Sequence, residues 1–148
     1  NELLRESIAL IKSRYNLSDN EINFIDPESK FEVSGDRTEL QSAFTNLLDN
    51  AVKYSKEKVK VTVKLRNLNN NSLLIRIKDE GIGIAPNELK RVFKRFYRVV
   101  NIATQKKKGT GLGLFIVASV IKSHGGKISA ESEGEGKGSV FTVQLPKA

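Results

Sequence analysis

The chain has 148 residues, no cysteine and a formal net charge of +8. A chain of this length forms one ordinary domain and buries about 68–70% of the surface that it would expose when unfolded. The composition excludes a disulfide-bonded scaffold and a thiolate metal site. No apolar run approaches the roughly 20 residues that span a bilayer, and the first residues lack the apolar stretch of a signal peptide. We therefore expect a soluble domain cut from a longer protein.

The positive charge is concentrated in one segment. Residues 88–108 contain eight Lys or Arg and the single acid Glu88, so they carry +7 of the net charge. With its three aromatic residues this segment could form a nucleic-acid-binding patch, and it could also be a solvated basic face. We favour a cover that brings cations to a polyphosphate, because the segment lies between two glycine-rich motifs. No nucleic-acid partner is expected.

The first third of the chain predicts a helix, two short strands and a second helix. Apolar residues at helical spacing predict an amphipathic helix over the first dozen residues. Short strands are predicted at 21–26 and 30–33, on either side of a proline turn. Asp36 then begins a long helix, in which Glu39 completes a capping box, and this helix is expected to end near Ser55.

The rest of the chain predicts a hairpin, two helices and two closing strands. In chain order these are a strand at 58–65, a strand at 72–78, a short helix at 86–93, a long helix at 111–123, and strands at 127–131 and 139–145. The irregular stretch between the two helices is long enough to be a functional lid. Because helices and strands mix without strict βαβ alternation, we predict an α/β (α+β) two-layer sandwich.

Polar side chains form a row on the second long helix. At about 100° per residue, Asn46, Asn50 and Lys53 fall within an arc of about 60° beside the apolar stripe. Asn is a poor helix former, so the presence of both Asn46 and Asn50 inside a helix indicates either a ligand site or incidental polar surface. The amide oxygen of Asn50 suits Mg²⁺, which shares its ligand shell with waters and phosphates. Lys53 would contact a phosphate group, and the ring of Tyr54 would pack against a base. The alternative is that Lys53 is a solvated lysine and Tyr54 a partly buried tyrosine.

The motif Asp79-Glu-Gly81-Ile-Gly83-Ile84 follows an apolar strand. Its carboxylate is therefore fixed at a strand end, where it can accept a strong hydrogen bond from the exocyclic amine of a base. Gly81 and Gly83 allow the backbone to approach a flat ligand closely, because neither has a Cβ atom. The alternative is a simple turn that ends the strand.

The motif Gly109-Thr-Gly111-Leu-Gly113-Leu begins the last long helix. Free N–H groups and the positive end of the helix dipole bind anions at such a place. A dinucleotide-binding motif is excluded, because these glycines alternate strictly and follow an irregular basic segment rather than a strand. Together the three motifs predict a pocket for ATP.

In order and spacing, these motifs resemble the N box and the two glycine boxes of sensor histidine kinases. Phe93-Lys-Arg-Phe96-Tyr97-Arg98 resembles the F box of that family, and the resemblance extends to Gly136-Lys-Gly-Ser-Val-Phe141. It implies that residues 1–148 are the catalytic, ATP-binding domain of a two-component kinase. The implied structure is the Bergerat fold, which DNA gyrase and MutL share. Its mixed sheet of about five strands has one face covered by about three helices, and it carries a flexible lid.

The resemblance also implies roles for individual residues, with ATP and Mg²⁺ as ligands. Asn50 would be the magnesium ligand, and Asp79 would recognise adenine. The implied catalytic residues are Asn46, Asn50, Lys53 and Arg98. The implied nucleotide contacts are Asn50, Lys53, Tyr54, Asp79, Gly81, Gly83, Ile84, Tyr97, Arg98, Gly109, Thr110, Gly111, Leu112 and Gly113. In the ATPase branch of the superfamily a water-activating Glu stands in the place of Asn46, so its absence here suits phosphoryl transfer to a protein.

The partners follow from the same resemblance. The phosphoacceptor histidine of the family lies in an upstream dimerisation hairpin that this chain lacks. The chain's only histidine, His124, stands at a predicted helix end, where we expect a structural role. The partners are then the parent's own dimerisation domain, which receives the γ-phosphate, and a response regulator. We expect a cytoplasmic domain, monomeric and without autophosphorylation by itself, in a dimeric parent that could be membrane-anchored. The alternatives are a related ATPase, an anti-sigma-factor serine kinase, a noncatalytic scaffold and a nucleic-acid-binding module.

Overall fold

The computed structural model describes residues 1–95, 97 and 112–148. In chain order its elements are α1 (Glu2–Tyr15), β1 (Ile22–Ile25), α2 (Arg37–Lys53), β2 (Val61–Asn67), β3 (Ser72–Asp79), α3 (Gly113–Ser123), β4 (Lys127–Glu131) and β5 (Ser139–Pro146). The three long helices and the β2–β3 hairpin confirm the predictions to within a few residues. Each of these described helices falls short of the length and apolar content that crossing a bilayer requires.

The strands form one mixed sheet in the order β1-β2-β3-β5-β4. β1 runs parallel to β2, and every other neighbouring pair is antiparallel. In the β3–β5 pair, Ser72 lies opposite Pro146 and Asp79 lies opposite Ser139. This register places Asp79 and Ser139 side by side at one end of the sheet, although they are 60 positions apart in the chain.

The helices and the sheet form two layers. Val63, Ile77 and Val143 project from the sheet into a core that α1, α2 and α3 cover, and α2 contributes residues such as Leu47. The alternate strand residues, among them the exposed Lys64, form the opposite face of the sheet. The predicted two-layer α/β sandwich, with helices on one face of a five-stranded sheet, is confirmed.

The imidazole ring of His124 connects the beginning of α2 to the end of α3. Asp36 caps α2 by accepting a hydrogen bond of 2.9 Å from the backbone N–H of Glu39. The other half of the predicted capping box is not formed, because the N–H of Asp36 donates instead to Nε2 of His124 at 3.1 Å. Nδ1 of His124 lies 2.7 Å from the carbonyl oxygen of Val120. The predicted structural role of His124 is thus confirmed, and the neutral ring with its proton on Nδ1 satisfies both contacts.

Two predicted elements are absent. Residues 30–33 form no strand, and the N–H of Phe31 donates to the side-chain oxygen of Asn1 at 2.8 Å instead of to a neighbouring strand. Residues 86–93 form successive turns rather than a helix: the N–H groups of Glu88 and Arg91 each donate to the carbonyl three residues earlier. Such turns bring side chains three residues apart onto one side, so they direct the half-buried Leu89 and the buried Val92 to the core as a helix would.

Candidate nucleotide-binding site

A cavity opens where the end of α2 meets the end of β3 and the beginning of β5. It is lined by Asn50, Tyr54, Asp79, Ile82, Gly83, Ile84, Val92 and Ser139. The fold therefore brings Asn50 and Tyr54, at the end of α2, to the same place as the motif that begins at Asp79. A flat apolar ligand could contact the aliphatic side chains, while the polar side chains of Asn50, Asp79 and Ser139 could fix its orientation.

Asp79 is the buried acid of this cavity, with 5% of its surface exposed. One carboxylate oxygen accepts a hydrogen bond of 2.6 Å from the hydroxyl of Ser139, and the other accepts one of 2.9 Å from the N–H of Gly81. Burial raises the pKa of Asp79 above its usual value, and these hydrogen bonds oppose the rise. Each carboxylate oxygen has two acceptor positions, so the group can still accept a hydrogen bond from a ligand.

The segment 79–84, here called the glycine turn, is packed between two parts of the chain. On one side the N–H of Ile82 donates to the carbonyl oxygen of Tyr54 at 3.1 Å, and a Cβ atom on Gly81 would overlap that oxygen. On the other side Gly83 has a φ of 71°, and a Cβ atom there would overlap the carbonyl oxygen of Gly134. Glycine is therefore required at both positions, for close approach and for backbone conformation.

The three polar residues of α2 lie in different surroundings. Asn50 lines the cavity, and its side-chain amide makes no hydrogen bond to other parts of the described chain. Asn46 does not line the cavity: its amide donates to the carbonyl oxygen of Ser42 at 2.9 Å, and its side-chain oxygen faces Gly113. Nζ of Lys53 lies 5.6 Å from the centre of the Tyr54 ring. Asn50 is the member of the row that a ligand in the cavity would meet first.

The structure places only some of the other predicted site residues. Gly113 is the first residue of α3, and Leu112 is its N-cap. Tyr97 is half-buried and is not among the described residues that line the cavity. Four predicted site residues, together with Phe96 of the F-box motif and the basic residues 106–108, lie outside the described residues: Arg98, Gly109, Thr110 and Gly111.

Three residues of the cavity were not predicted from the sequence. Ser139 was expected as the first residue of the last strand and within the stretch 136–141 to which the resemblance extends, but without a role in the site. No local signal reveals that it lies opposite Asp79. Ile82 stood inside the predicted motif without a role of its own. Val92 was expected on a helix, and the turns place it in the cavity wall.

The family described as "Histidine kinase-, DNA gyrase B-, and HSP90-like ATPase" matches residues 35–148. The chain belongs to this family. The matched residues include α2, the glycine turn and β5, so every residue that lines the cavity lies within the match. The chain thus contains an ATP-binding domain of this family.

Two sensor kinases are similar to the chain over most of its length. Sensor protein SrrB of Staphylococcus aureus is 44% identical over 114 residues, which is 77% of this chain and 19% of SrrB. The structure of the mycobacterial sensor histidine kinase MprB is 31% identical with a TM-score of 0.83, covering 99% of this chain and 93% of that one. The chain is therefore the catalytic, ATP-binding domain of a sensor histidine kinase, and it spans about a fifth of the length of SrrB.

A third relative was solved with a nucleotide analogue. Full-length ShkA in complex with AMPPNP is 25% identical to this chain with a TM-score of 0.78, covering 99% of this chain and 30% of ShkA. The fold described above is thus shared with a kinase structure that contains an ATP analogue.

Proposed function

We propose that this domain binds Mg-ATP in the cavity and transfers the γ-phosphate to a histidine of its parent's dimerisation domain, for relay to a response regulator. The observation that carries the proposal is the buried, hydrogen-bonded Asp79 in the wall of a cavity that also contains Asn50. Such an arrangement offers an acceptor for a base amine and an amide oxygen for a metal. The AMPPNP complex of the related ShkA supports nucleotide as the ligand.

Adenine would occupy the part of the cavity beside Asp79. The carboxylate would accept a hydrogen bond from the exocyclic amine, and its partners Ser139 and Gly81 would hold it in place. A charge-assisted hydrogen bond of this kind is stronger than a neutral one. Ile84 and Val92 would supply the apolar contact that a flat ring needs. The protein thus provides both the orientation and the dry surroundings of the base.

The phosphates would extend toward α2 and the beginning of α3. The described residues contain no cluster of three His, Cys, Asp or Glu side chains that could hold a metal ion. The site fits Mg²⁺ all the same, since this ion takes few protein ligands beside phosphate oxygens and water, and Asn50 would be the protein ligand. When bound, the ion would neutralise charge on the phosphates. Lys53, Arg98 and the backbone of 109–113 are the proposed phosphate contacts.

Transfer to a protein is favoured over hydrolysis by the chemistry of Asn46. An amide cannot take a proton from water, and this one already donates to the carbonyl of Ser42. The domain would hold the nucleotide so that an imidazole nitrogen of the acceptor attacks in line. A nitrogen–phosphorus bond then forms, the bond from the γ-phosphorus to its bridging oxygen breaks, and ADP leaves.

We infer further that residues 1–148 act as one domain. α1 contributes Leu4, Ile8 and Ile11 to the common core, and β1 continues the sheet beside β2, so the first 34 residues belong to the same unit as the rest. The domain would be monomeric and cytoplasmic, since ATP is supplied there, and it would act within a dimeric parent that could be membrane-anchored.

The test supplies the acceptor as a separate molecule. The domain is mixed with radiolabelled Mg-ATP and a separately made hairpin domain that carries the phosphoacceptor histidine. We expect acid-labile, base-stable label on the hairpin, none when that histidine is replaced, and much slower labelling when this domain carries Asp79→Asn. Acid-stable label on the hairpin would indicate a serine kinase, and phosphate release without the hairpin would indicate an ATPase. Label on neither component, with nucleotide still bound, would contradict the proposal in favour of a scaffold.

A further inference from the structure

Ser132 directly follows β4 and uses its whole hydrogen-bonding capacity on backbone groups. Its hydroxyl accepts from the N–H of Ile84 at 3.1 Å and from the N–H of Gly134 at 3.2 Å. It donates to the carbonyl oxygen of Gly138 at 2.6 Å. A hydroxyl has one donor and two acceptor positions, so all three are occupied. One half-buried side chain therefore connects the glycine turn, its own loop and the residue before β5.

The loop that contains Ser132, residues 132–138, contacts the glycine turn at further points. The N–H of Gly136 donates to the carbonyl of Ile82 at 2.6 Å, and the N–H of Gly138 donates to the carbonyl of Gly81 at 3.1 Å. These backbone hydrogen bonds form only when the loop lies against the glycine turn. Nζ of Lys56 donates to the carbonyl of Gly136 at 2.7 Å and holds the loop from the outer side.

Ser132 acts on both sides of the proposed base site without lining the cavity itself. Through Ile84 it holds an apolar part of the cavity wall. Through Gly138 it holds the beginning of β5, where the next residue, Ser139, donates to Asp79. The wall and the carboxylate belong to different parts of the chain, and this hydroxyl fixes their relative position.

We infer that Ser132 is a positioning residue for adenine: it holds the glycine turn and the beginning of β5 in the arrangement that fits the base. The inference rests on the proposed function. Without the hydroxyl, the N–H of the buried Ile84 loses its partner, and an unpaired buried donor is costly. The turn then shifts to find another acceptor, and the base loses both its wall and its aligned carboxylate.

The chain offers a matched control on β4, the strand that ends just before Ser132. Ser129 is an exposed residue of β4, and its side chain makes no hydrogen bond to other parts of the described chain. Ser132→Ala removes the three contacts, Ser132→Thr keeps a hydroxyl, and Ser129→Ala removes a hydroxyl from β4 without touching the loop. Comparing the three variants separates loss of the Ser132 contacts from the loss of a serine hydroxyl in general.

The experiment measures the dissociation constants of ATP and of adenosine by calorimetry for these variants. We expect Ser132→Ala to raise both constants by about tenfold, because the defect concerns the base rather than the phosphates. Ser132→Thr should stay within about threefold of the wild type, and Ser129→Ala should leave both constants unchanged. In amide hydrogen exchange, Ile84 and Gly134 should exchange faster in Ser132→Ala, since their N–H groups have lost the acceptor.

A lowered melting temperature with unchanged dissociation constants would show that Ser132 only supports the fold and would overturn the inference. Should Ser132→Ala fail to fold, Lys56→Met tests the same loop from its exposed side, and we expect about a threefold rise in both constants. No change in that variant would overturn the inference as well. A wild-type domain that binds no ATP would instead overturn the proposed function, so the two failures are distinguishable.

Discussion

The two ends of the cavity are built differently. At the base end, Asp79 is 5% exposed and accepts hydrogen bonds from Ser139 and Gly81, and Ser132 holds the surrounding backbone. At the phosphate end, the amide of Asn50 makes no hydrogen bond within the described chain. If the proposed function is right, the side chains that would meet the base are already held by the protein, whereas the amide of Asn50 would gain its partner from the ligand. Preorganisation of this kind lowers the entropic cost of binding the base.

This difference separates variants into two classes. A change at the base end should weaken every ligand that contains adenine, with or without phosphates. A change at the phosphate end should weaken Mg-ATP alone and leave adenosine unaffected. Measuring both ligands for each variant tests whether the two ends are independent, as their separate contacts indicate.

The largest effect is expected for Asp79→Asn. Loss of a charged acceptor should weaken ATP and adenosine binding by about 10- to 150-fold, which corresponds to about 1.5–3 kcal/mol. The amide can still accept from Gly81 and donate to the hydroxyl of Ser139, so folding should persist. Calorimetry gives the affinities and urea unfolding gives the stability. Equal affinities for wild type and variant would contradict the assignment of Asp79.

The same variant should be no less stable than the wild type at neutral pH. Burial raises the pKa of Asp79 in the folded chain, so above that pKa the ionised carboxylate favours the unfolded chain. The wild type should therefore lose stability as the pH rises from the unfolded to the folded pKa. Asp79→Asn should lack this loss. If the unfolding free energy of the variant falls with pH in parallel with that of the wild type, the loss does not come from Asp79.

A smaller effect is expected for Asn50→Ala. We expect about a tenfold loss of affinity for Mg-ATP, because the proposed metal loses its protein ligand, while adenosine binds as it does to the wild type. Titrations with and without Mg²⁺ provide the control, since the variant should lose the gain in affinity that the metal gives. Equal losses for Mg-ATP and adenosine would show that Asn50 belongs to the base end instead.

The pH dependence of adenosine binding should be smaller still. The carboxylate of Asp79 accepts the amine best when it is ionised, so affinity should fall as the pH is lowered toward its raised pKa. Adenosine is used because it has no phosphates to titrate. In Asp79→Asn, measured with the same ligand, the part of the pH dependence that comes from the carboxylate should be absent. An identical pH profile in the variant would assign the titration to another group.

No effect on nucleotide binding is expected for His124→Ala, which should change only the stability of the fold. The ring connects Asp36 to Val120, and its loss should lower the free energy of unfolding by about 1 kcal/mol. His124 lies about 16 Å along α3 from Gly113, so the nucleotide affinities should not change. Urea unfolding and calorimetry on the same sample separate the two quantities. A loss of affinity here would show that the ends of α3 are coupled.

The sequence predicts what depends on local pattern. Helical spacing placed Asn50 beside the core, and an apolar strand placed Asp79 at its end. Ser139 could not be predicted in the same way, because its contact with Asp79 arises from β3–β5 pairing between distant parts of the chain. The contact of Ser132 with Ile84 likewise joins two loops that are far apart in the sequence. Knowledge of the strand register would have been needed to find them.

The two missing elements have physical causes as well. Phe31 and Val33 alternate in burial and pack on the core, which is the pattern of a strand, but burial on one side does not require a paired neighbour. Leu89 and Val92 are three residues apart, a spacing that both an α-helix and successive three-residue turns satisfy. Periodicity thus predicts which side chains are buried better than it predicts the backbone hydrogen bonds.

The most direct test compares ATP with purine riboside triphosphate, which lacks only the exocyclic amine. If Asp79 accepts a hydrogen bond from that amine, the wild-type domain should prefer ATP by about 10- to 150-fold, and Asp79→Asn should bind both within about threefold. A wild type that binds the two ligands equally, or a variant that keeps the full preference, would contradict adenine recognition by Asp79.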